Sequence, residues 1–204
     1  MELFSGQTIG GLEKSMSVTK TIIAGFMEEI NSTYYDKITI SSICAAAGVS
    51  RKTFYLHFQD KQAVVEQIIE EEIIYPVADL VRLLSFGKIK SSAQLTCEMM
   101  YNNIFKNRVF YENLLKHGGT QVFIDSFIDK MTKLNLSTTS QLNMPATERE
   151  YMTYFYAAAQ AMLVKKWITN KFNVAPDKLA KYCTAWAYKS MSELTSGPSP
   201  WDHK

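Results

Sequence analysis

Cysteine is scarce in this sequence. The three cysteines, Cys44, Cys97 and Cys183, lie far apart, and no two of them form a Cys-x-x-Cys pair. This number and spacing argue against a disulfide framework or a zinc ribbon. We therefore expect small apolar side chains in a reducing compartment, which favours the cytoplasm.

Proline, glycine and long apolar runs are also few. Five Pro and nine Gly in 204 residues favour long helices. Residues 1–16 lack the sustained apolar core of a signal peptide. The longest apolar run without charge, residues 151–164, is shorter than the ~20 residues that span a bilayer. We expect a cytoplasmic protein with no membrane partner.

Neither charge sign dominates. The net charge is +2, and residues 17–61 contain five basic and four acidic side chains. Bulk charge therefore does not indicate nucleic-acid binding. Any affinity for DNA must come from the placement of individual side chains and from doubling by dimerisation.

The residue types that carry catalysis are sparse as well. The three histidines, His57, His117 and His203, have no Cys, Asp or Glu at metal-ligand spacing. The sequence contains no phosphate-binding loop and no nucleophile elbow. We therefore expect no catalytic site, no metal and no cofactor, and an enzyme is the disfavoured class.

Residues 39–61 predict two short helices across a tight turn. Thr39 is placed to cap a helix that runs to about residue 46, because its hydroxyl can accept a free N–H of the first turn. Gly48 can take the left-handed conformation of the turn, and Ser50 can cap a second helix over residues 51–56. This arrangement is a helix-turn-helix, whose second helix enters a DNA major groove.

The side chains predicted to face outward from the second helix suit DNA. They are Arg51, Lys52, Thr53 and Tyr55, followed by His57 and Lys61. An arginine can bond bidentately to a guanine edge, whereas hydroxyl, imidazole and ammonium groups suit phosphate. Taken alone, the pattern is equally compatible with a solvated helix start, which is what most exposed basic pairs are.

The stretch GVSRKTFYLHFQDK (48–61), preceded by ITISSICAAA (38–47), resembles the DNA-binding signature of the tetracycline-repressor (TetR) family of bacterial transcription regulators. The resemblance covers about residues 17–68. It implies a dimer that binds a palindromic double-stranded DNA operator, usually as a repressor, and that responds to a small apolar or amphipathic effector. A co-regulator or activator that acts through protein contacts is the alternative.

The resemblance also assigns residue roles. Arg51, Lys52 and Thr53 lie where the family reads bases, and many members carry glycine at the position of Lys52. The other residues of the implied interface are Tyr55, His57 and Lys61 at phosphate-gripping positions, Thr39 and Ser41 at the start of the preceding helix, and Ser50 between the two helices.

Apolar stripes and capping residues predict an all-α protein of about nine helices. We predict a flexible arm over residues 1–16, a three-helix helix-turn-helix domain over 17–60, a helical effector-binding and dimerisation domain over 61–195, and a tail over 196–204.

Three local features of the second domain carry their own predictions. Pro76 should kink or end the helix that begins at Lys61. Its acidic run, residues 70–72, is interpreted as a solvated face. Thr147 and Glu150 predict a capping box.

The C-terminal part is rich in Met, Phe and Tyr (ten, eleven and eleven in the whole chain), which predicts an apolar effector pocket. The candidate lining residues are Met99, Met100, Phe105, Phe110, Phe123, Phe127, Tyr156 and Trp167, and ordinary core packing is the alternative for each.

The segment 167–172 is similar to a C-terminal pattern in the branch of the family that includes an activator of dihydroxyacetone kinase genes.

The last two predicted helices carry more apolar surface than one stripe requires. This excess predicts a four-helix dimer interface between two copies, with a buried central helix as the alternative. The candidate interface residues are Tyr154, Phe155, Ala158, Ala161, Met162, Tyr182 and Trp186.

Overall fold

A computed structural model describes residues 9–83, 89–141 and 143–196, and every regular element in these ranges is a helix. The helices are α1 (Ile9–Glu29), α2 (Ile40–Ala47), α3 (Arg51–Tyr55), α4 (Lys61–Ile69), a π-helical segment (Glu70–Ile74), α5 (Tyr75–Leu83), α6 (Ile89–Lys106), α7 (Arg108–Lys116), α8 (Thr120–Thr138), α9 (Ala146–Thr169) and α10 (Pro176–Ser196). Because α4, the π-helical segment and α5 follow one another without a break, they form one connector, and the described part has nine helices. The all-α prediction is confirmed.

A close crossing of α1 over α2 holds the N-terminal helices together. A Cβ atom built on Gly25 would lie 2.8 Å from the Ala47 nitrogen and 2.9 Å from the Ile43 carbonyl oxygen. Only glycine therefore lets the two backbones approach this closely. Phe26 of α1 and Ile30, which directly follows the helix, are buried and complete its inner face.

Pro76 does not end the connector helix. Proline has no N–H, so the carbonyl of Glu72, four residues earlier, loses its helical donor. The Asn103 side chain of α6 replaces that donor, with its amide nitrogen 2.8 Å from the Glu72 oxygen. One residue before the proline, the Tyr75 N–H reaches back five residues to Glu70, as in a π-helix.

The acidic run beside Pro76 is a set of partnered side chains, so its interpretation as a solvated face is wrong for two of its members. The Tyr111 hydroxyl donates to the Glu72 carboxylate at 3.0 Å, and Lys130 of α8 lies 2.9 Å from Glu70. Burial is the main cause that raises the pKa of Glu72. These contacts fasten the connector to α7 and α8.

The C-terminal helices pack in two main pairs, α8 with α9 and α6 with α10. The chain turns between α9 and α10 through Lys171 and Phe172, both at positive φ. Phe172 is buried there against Trp167, with ring centroids 4.7 Å apart, and the Trp167 indole N–H donates to the Val174 carbonyl at 2.8 Å. The segment 167–172, whose pattern was noted in the sequence, thus forms the corner between α9 and α10.

Several predicted boundaries differ from the structure. Residues 9–16, expected in a flexible arm, are helical, because α1 begins at Ile9; residues 1–8 lie outside the described part. Helix α8 extends to Thr138, and α9 begins at Ala146 after Pro145 with no side-chain cap, so the predicted Thr147 capping box is wrong. Most of the predicted tail, residues 197–204, is not described.

Candidate nucleic-acid interface and its supports

The turn between α2 and α3 has the predicted local geometry. The Thr39 hydroxyl accepts the Ser42 N–H at 3.0 Å, and the Thr39 N–H donates to the Ser42 hydroxyl at 3.2 Å, so the two residues form a capping box. Gly48 ends α2 in the left-handed conformation at φ 64°, and the Ser50 hydroxyl caps α3 by accepting the Thr53 N–H at 3.0 Å. The short helices are thus closed by their own side chains.

Buried aromatic packing fixes which face of α3 points outward. Phe54 is fully buried and its ring lies 5.8 Å from that of Phe58, while Ile43 closes the core from α2. Because α3 has only five residues, this single anchor determines its orientation. Arg51, Lys52 and Tyr55 consequently project into solvent.

The exposed side chains of α3 and of the start of α2 provide the groups that DNA recognition uses. Arg51 and Lys52 stand in the first turn of α3, the part of a recognition helix that meets base edges. Tyr55 is exposed one turn later. On α2, the exposed Thr39 and Ser41 mark the helix start, where free N–H groups favour phosphate.

Three further candidates are partly engaged within the protein. The Ser50 and Thr53 hydroxyls lie 2.8 Å apart, and Ser50 also caps α3. His57 is half-buried, with Nδ1 3.2 Å from the Thr19 hydroxyl of α1. These side chains hold the recognition helix in place as well as bordering its exposed face.

Lys61 has a different environment from the predicted one. Its ammonium donates to the carbonyls of Tyr35 at 2.6 Å and Ile38 at 2.9 Å, with Asp36 at 3.4 Å, and it lies 4.6 Å from the Tyr35 ring centroid. An ammonium has three N–H donors. Since all three point to the loop between α1 and α2, the Lys61 ammonium is not available to a phosphate in this conformation.

A second link between the N-terminal helices and the C-terminal domain was not expected from the sequence. His117, in the turn between α7 and α8, is buried, and its Nδ1–H donates to the Ile30 carbonyl at 2.6 Å. The Tyr35 N–H returns a bond to the His117 carbonyl at 2.7 Å, and the Asn113 amide donates to the Asn31 side chain at 2.8 Å. The only sequence signal was the helix break at His117-Gly118-Gly119.

A cavity of about 200 Å³ lies between α5, α6, α8 and α9. Of the predicted pocket residues, Met100 and Tyr156 line it, together with Val77 and Val81 of α5. Its described lining is apolar or neutral polar and carries no charged side chain. Phe110, Phe123 and Phe127 are buried in the core, and Phe105 and Trp167 belong to the corner beside Phe172; Met99 is half-buried outside the cavity wall.

Helices α9 and α10 carry an exposed apolar surface. Phe155 is 65% exposed, Met162 52% and Trp186 57%, and Tyr154 and Tyr182 are exposed beside them. Ala158 is half-buried at the edge of this surface. Ala161 is 0% exposed within its own chain, so its prediction as an interface residue is wrong.

The described ranges contain neither a metal-binding cluster nor a membrane-spanning helix. No group of three or more His, Cys, Asp or Glu side chains is placed there to hold a metal ion. None of the described helices combines the length and apolarity needed to cross a membrane.

The geometry defines a helix-turn-helix protein with an appended helical domain. The family model described as "Bacterial regulatory proteins, tetR family" matches residues 22–68, and a second, "Transcriptional regulator C-terminal region", matches residues 92–188. The chain therefore belongs to the TetR family of bacterial DNA-binding transcriptional regulators.

Individual relatives are distant. The transcriptional activator DhaS of the dhaKLM operon in Lactococcus lactis subsp. lactis strain IL1403 is 24% identical over 103 residues, which are 50% of this chain and 51% of the relative. The chain thus spans about half the length of the curated relative it matches.

Two solved structures share the fold. A TetR-family regulator from Syntrophomonas wolfei matches with a TM-score of 0.61 at 14% identity, covering 92% of this chain and 99% of that one. NalD, the secondary repressor of the MexAB-OprM multidrug efflux pump in Pseudomonas aeruginosa, matches with a TM-score of 0.54 at 18% identity, covering 87% and 96%. At these identities the likeness establishes the fold alone.

Proposed function

We propose that this protein is a cytoplasmic, homodimeric transcriptional repressor that places α3 of each subunit in the major groove of a palindromic operator. The observation that carries the proposal is the outward projection of Arg51, Lys52 and Tyr55 from a helix anchored by the buried Phe54. The family is one of non-enzymatic DNA-binding proteins, and no enzymatic step is part of the proposal.

Arg51 is the proposed base reader. Its guanidinium leaves the first turn of α3 into solvent, where a fork of donors can meet O6 and N7 of a guanine. Lys52 and Tyr55 flank it and are proposed to bind phosphate, together with the start of α2 at Thr39 and Ser41. Each of these groups is exposed in the free protein, so binding requires no rearrangement of the motif.

The DNA test compares Arg51→Ala with Lys133→Ala, an exposed lysine of α8 that serves as the control. We expect Arg51→Ala to weaken operator binding by about 1–3 kcal/mol per half-site and to relax the preference at one base position. Lys133→Ala should leave binding unchanged. Equal weakening of operator and scrambled duplexes by Arg51→Ala would show that this arginine does not read a base.

Dimerisation is proposed to use the exposed surface of α9 and α10. A pair of half-sites multiplies a weak single contact, so this class of motif works as a dimer. Phe155→Glu should give monomers, because a carboxylate would be buried in an apolar contact. Val109→Glu is the matched control, since Val109 of α7 is also apolar and 63% exposed. Sedimentation should show a monomer for the first variant and a dimer for the second.

The proposed effector is small and uncharged. Its site is the cavity beside α5, whose described lining combines Val77, Val81 and Met100 with neutral polar side chains such as Asn135 and Gln160. A ligand that favours one position of α5 can alter DNA affinity through the connector. A neutral compound found by thermal-shift screening should bind free and operator-bound protein with different affinities.

A second function, transcriptional activation through contacts with another protein, is favoured by the relative DhaS, which is an activator. The two functions are separated by transcription in vitro from the gene's own upstream DNA. Repression requires that added protein lowers transcript yield from that template. A rise in yield that depends on a second protein would support activation instead.

A further inference from the structure

Two of the three cysteines meet between α6 and α10, although they are far apart in the sequence. These helices pack against each other and bring the side chains of Cys97 and Cys183 into the same neighbourhood, beside Gln160. Both are free thiols. The third, Cys44, is buried in the core of the helix-turn-helix and serves as an internal comparison.

Polar side chains surround the Cys97–Cys183 pair. The Gln160 amide nitrogen lies 2.7 Å from the Cys183 sulfur, and the Gln160 carbonyl oxygen accepts the Tyr101 hydroxyl at 2.6 Å. Gln160 is thus oriented by Tyr101 so that its N–H points at sulfur. A thiol that only fills space in a core needs no such donor.

These contacts favour the ionised form of one thiol. The neighbouring Cys97 thiol, together with Tyr101 and Gln160, lowers the pKa of Cys183. The same pairing and then burial raise the pKa of Cys97. By contrast, burial raises the pKa of Cys44, which makes that thiol the less reactive reference.

Both cysteines border open space. Cys183 lines a groove of about 330 Å³ between α9 and α10, and Cys97 lines the cavity of about 200 Å³ on the other side. Tyr156 and Gln160 belong to both walls, so the pair sits in the partition between the two spaces. A peroxide molecule is small enough to enter the cavity on the Cys97 side, which lies outside the proposed dimer surface.

We propose that Cys97 and Cys183 form an oxidation-sensitive dithiol that hydrogen peroxide converts into an intramolecular disulfide between α6 and α10. The Cys183 thiolate attacks one peroxide oxygen, the O–O bond breaks, and hydroxide leaves, so Cys183 becomes a sulfenic acid. The Cys97 sulfur then attacks the Cys183 sulfur and water is released. In balance, two thiols and one hydrogen peroxide give one disulfide and two waters.

The site is separate from the DNA-binding surface, so its chemistry can be tested without an operator. The reduced full-length protein is titrated with hydrogen peroxide, alkylated and mapped by peptide mass spectrometry. We expect a Cys97–Cys183 cross-linked peptide with the loss of two hydrogens, while Cys44 is recovered as a free thiol.

Three single variants complete the design. Cys44→Ser should still form the cross-link, whereas Cys97→Ser and Cys183→Ser should not, and Cys97→Ser should leave a sulfenic acid on Cys183 that dimedone traps. The wild-type map decides the matter if a variant fails to fold. Met144, which is partly exposed in the loop between α8 and α9 and lies outside the proposed dimer surface, reports that peroxide has acted. Oxidised Met144 together with two free thiols at Cys97 and Cys183, or a disulfide between two chains, would overturn the proposal.

Discussion

Replacing Lys61 by methionine distinguishes an internal support from a phosphate contact. The sequence pattern predicts that this lysine grips DNA, whereas in the structure its ammonium is bonded to the loop between α1 and α2. Methionine keeps most of the apolar stem and removes the charge. The two roles therefore predict opposite effects on stability and on the salt dependence of DNA binding.

The magnitude follows from the bonds that are lost. The bonds to Tyr35 and Ile38 are short, at 2.6 and 2.9 Å, and that to Asp36 is marginal at 3.4 Å. A hydrogen bond from a charged donor contributes about 1.5–3 kcal/mol, and water can replace part of it here because Lys61 is only half-buried. We expect Lys61→Met to lower the free energy of unfolding by roughly 2–4 kcal/mol.

The assay pairs urea unfolding with DNA titrations at several salt concentrations. Lys52→Met is the matched control, because Lys52 is exposed in the same motif. It should leave stability unchanged and lower the salt slope by about one per half-site. Lys61→Met should do the reverse. A stable Lys61→Met protein with a reduced salt slope would refute the assignment of this lysine as a support.

Two further predictions concern the scaffold. Gly25→Ala should reduce stability by about 1–3 kcal/mol in urea, because the new methyl group would meet the Ala47 backbone at 2.8 Å; an unchanged midpoint would show that α1 and α2 can separate without cost. Glu72→Gln should alter the dependence of stability on pH. Burial raises the pKa of Glu72 above its ordinary value of 4.5, so the folded state holds this proton more tightly than the unfolded state and loses stability as pH rises through the folded pKa. The glutamine variant lacks that loss, and its advantage in unfolding free energy should grow from pH 4.5 toward neutrality; parallel pH curves would contradict this.

Local sequence signals predicted the recognition motif well because its geometry is set by neighbouring residues. The caps at Thr39 and Ser50 and the left-handed Gly48 each depend on atoms within a few positions along the chain. The same holds for the outward face of α3, which follows from burying Phe54. Such features can be read from spacing alone.

The features that the sequence did not reveal depend on contacts between distant segments. The family resemblance placed Lys61 at DNA. Its ammonium instead contacts carbonyls of the loop between α1 and α2, and backbone carbonyls carry no sequence signature. Glu72 is a charged residue type that is usually solvated, yet the Tyr111 hydroxyl of α7 donates a hydrogen bond to its carboxylate. Ala161 belongs to an apolar run on α9, and only the packing of neighbouring helices decides which members of that run are buried.

Two links join the DNA-binding helices to the C-terminal domain, and only one of them carries a break in regular helical bonding. His117 holds the end of α1 directly through the Ile30 carbonyl. The other link is the connector. There the Tyr75 N–H donates to the Glu70 carbonyl five residues earlier, and the Glu72 carbonyl accepts its hydrogen bond from the Asn103 side chain. Its C-terminal half, α5, lines the cavity, and its N-terminal half, α4, carries Lys61 beneath the motif.

A π-helical turn and an ordinary helical turn differ by one residue of register, so conversion of one into the other rotates the two halves of a helix relative to each other. In the proposed function, a ligand that displaces α5 therefore acts on the element that joins the cavity to α4. The Asn103 bond to Glu72 is made by α6, which also lines the cavity. The same side chain that satisfies the backbone at Pro76 thus couples the connector to α6. Under the proposed function, an effector in the cavity controls DNA binding by favouring one position of α5.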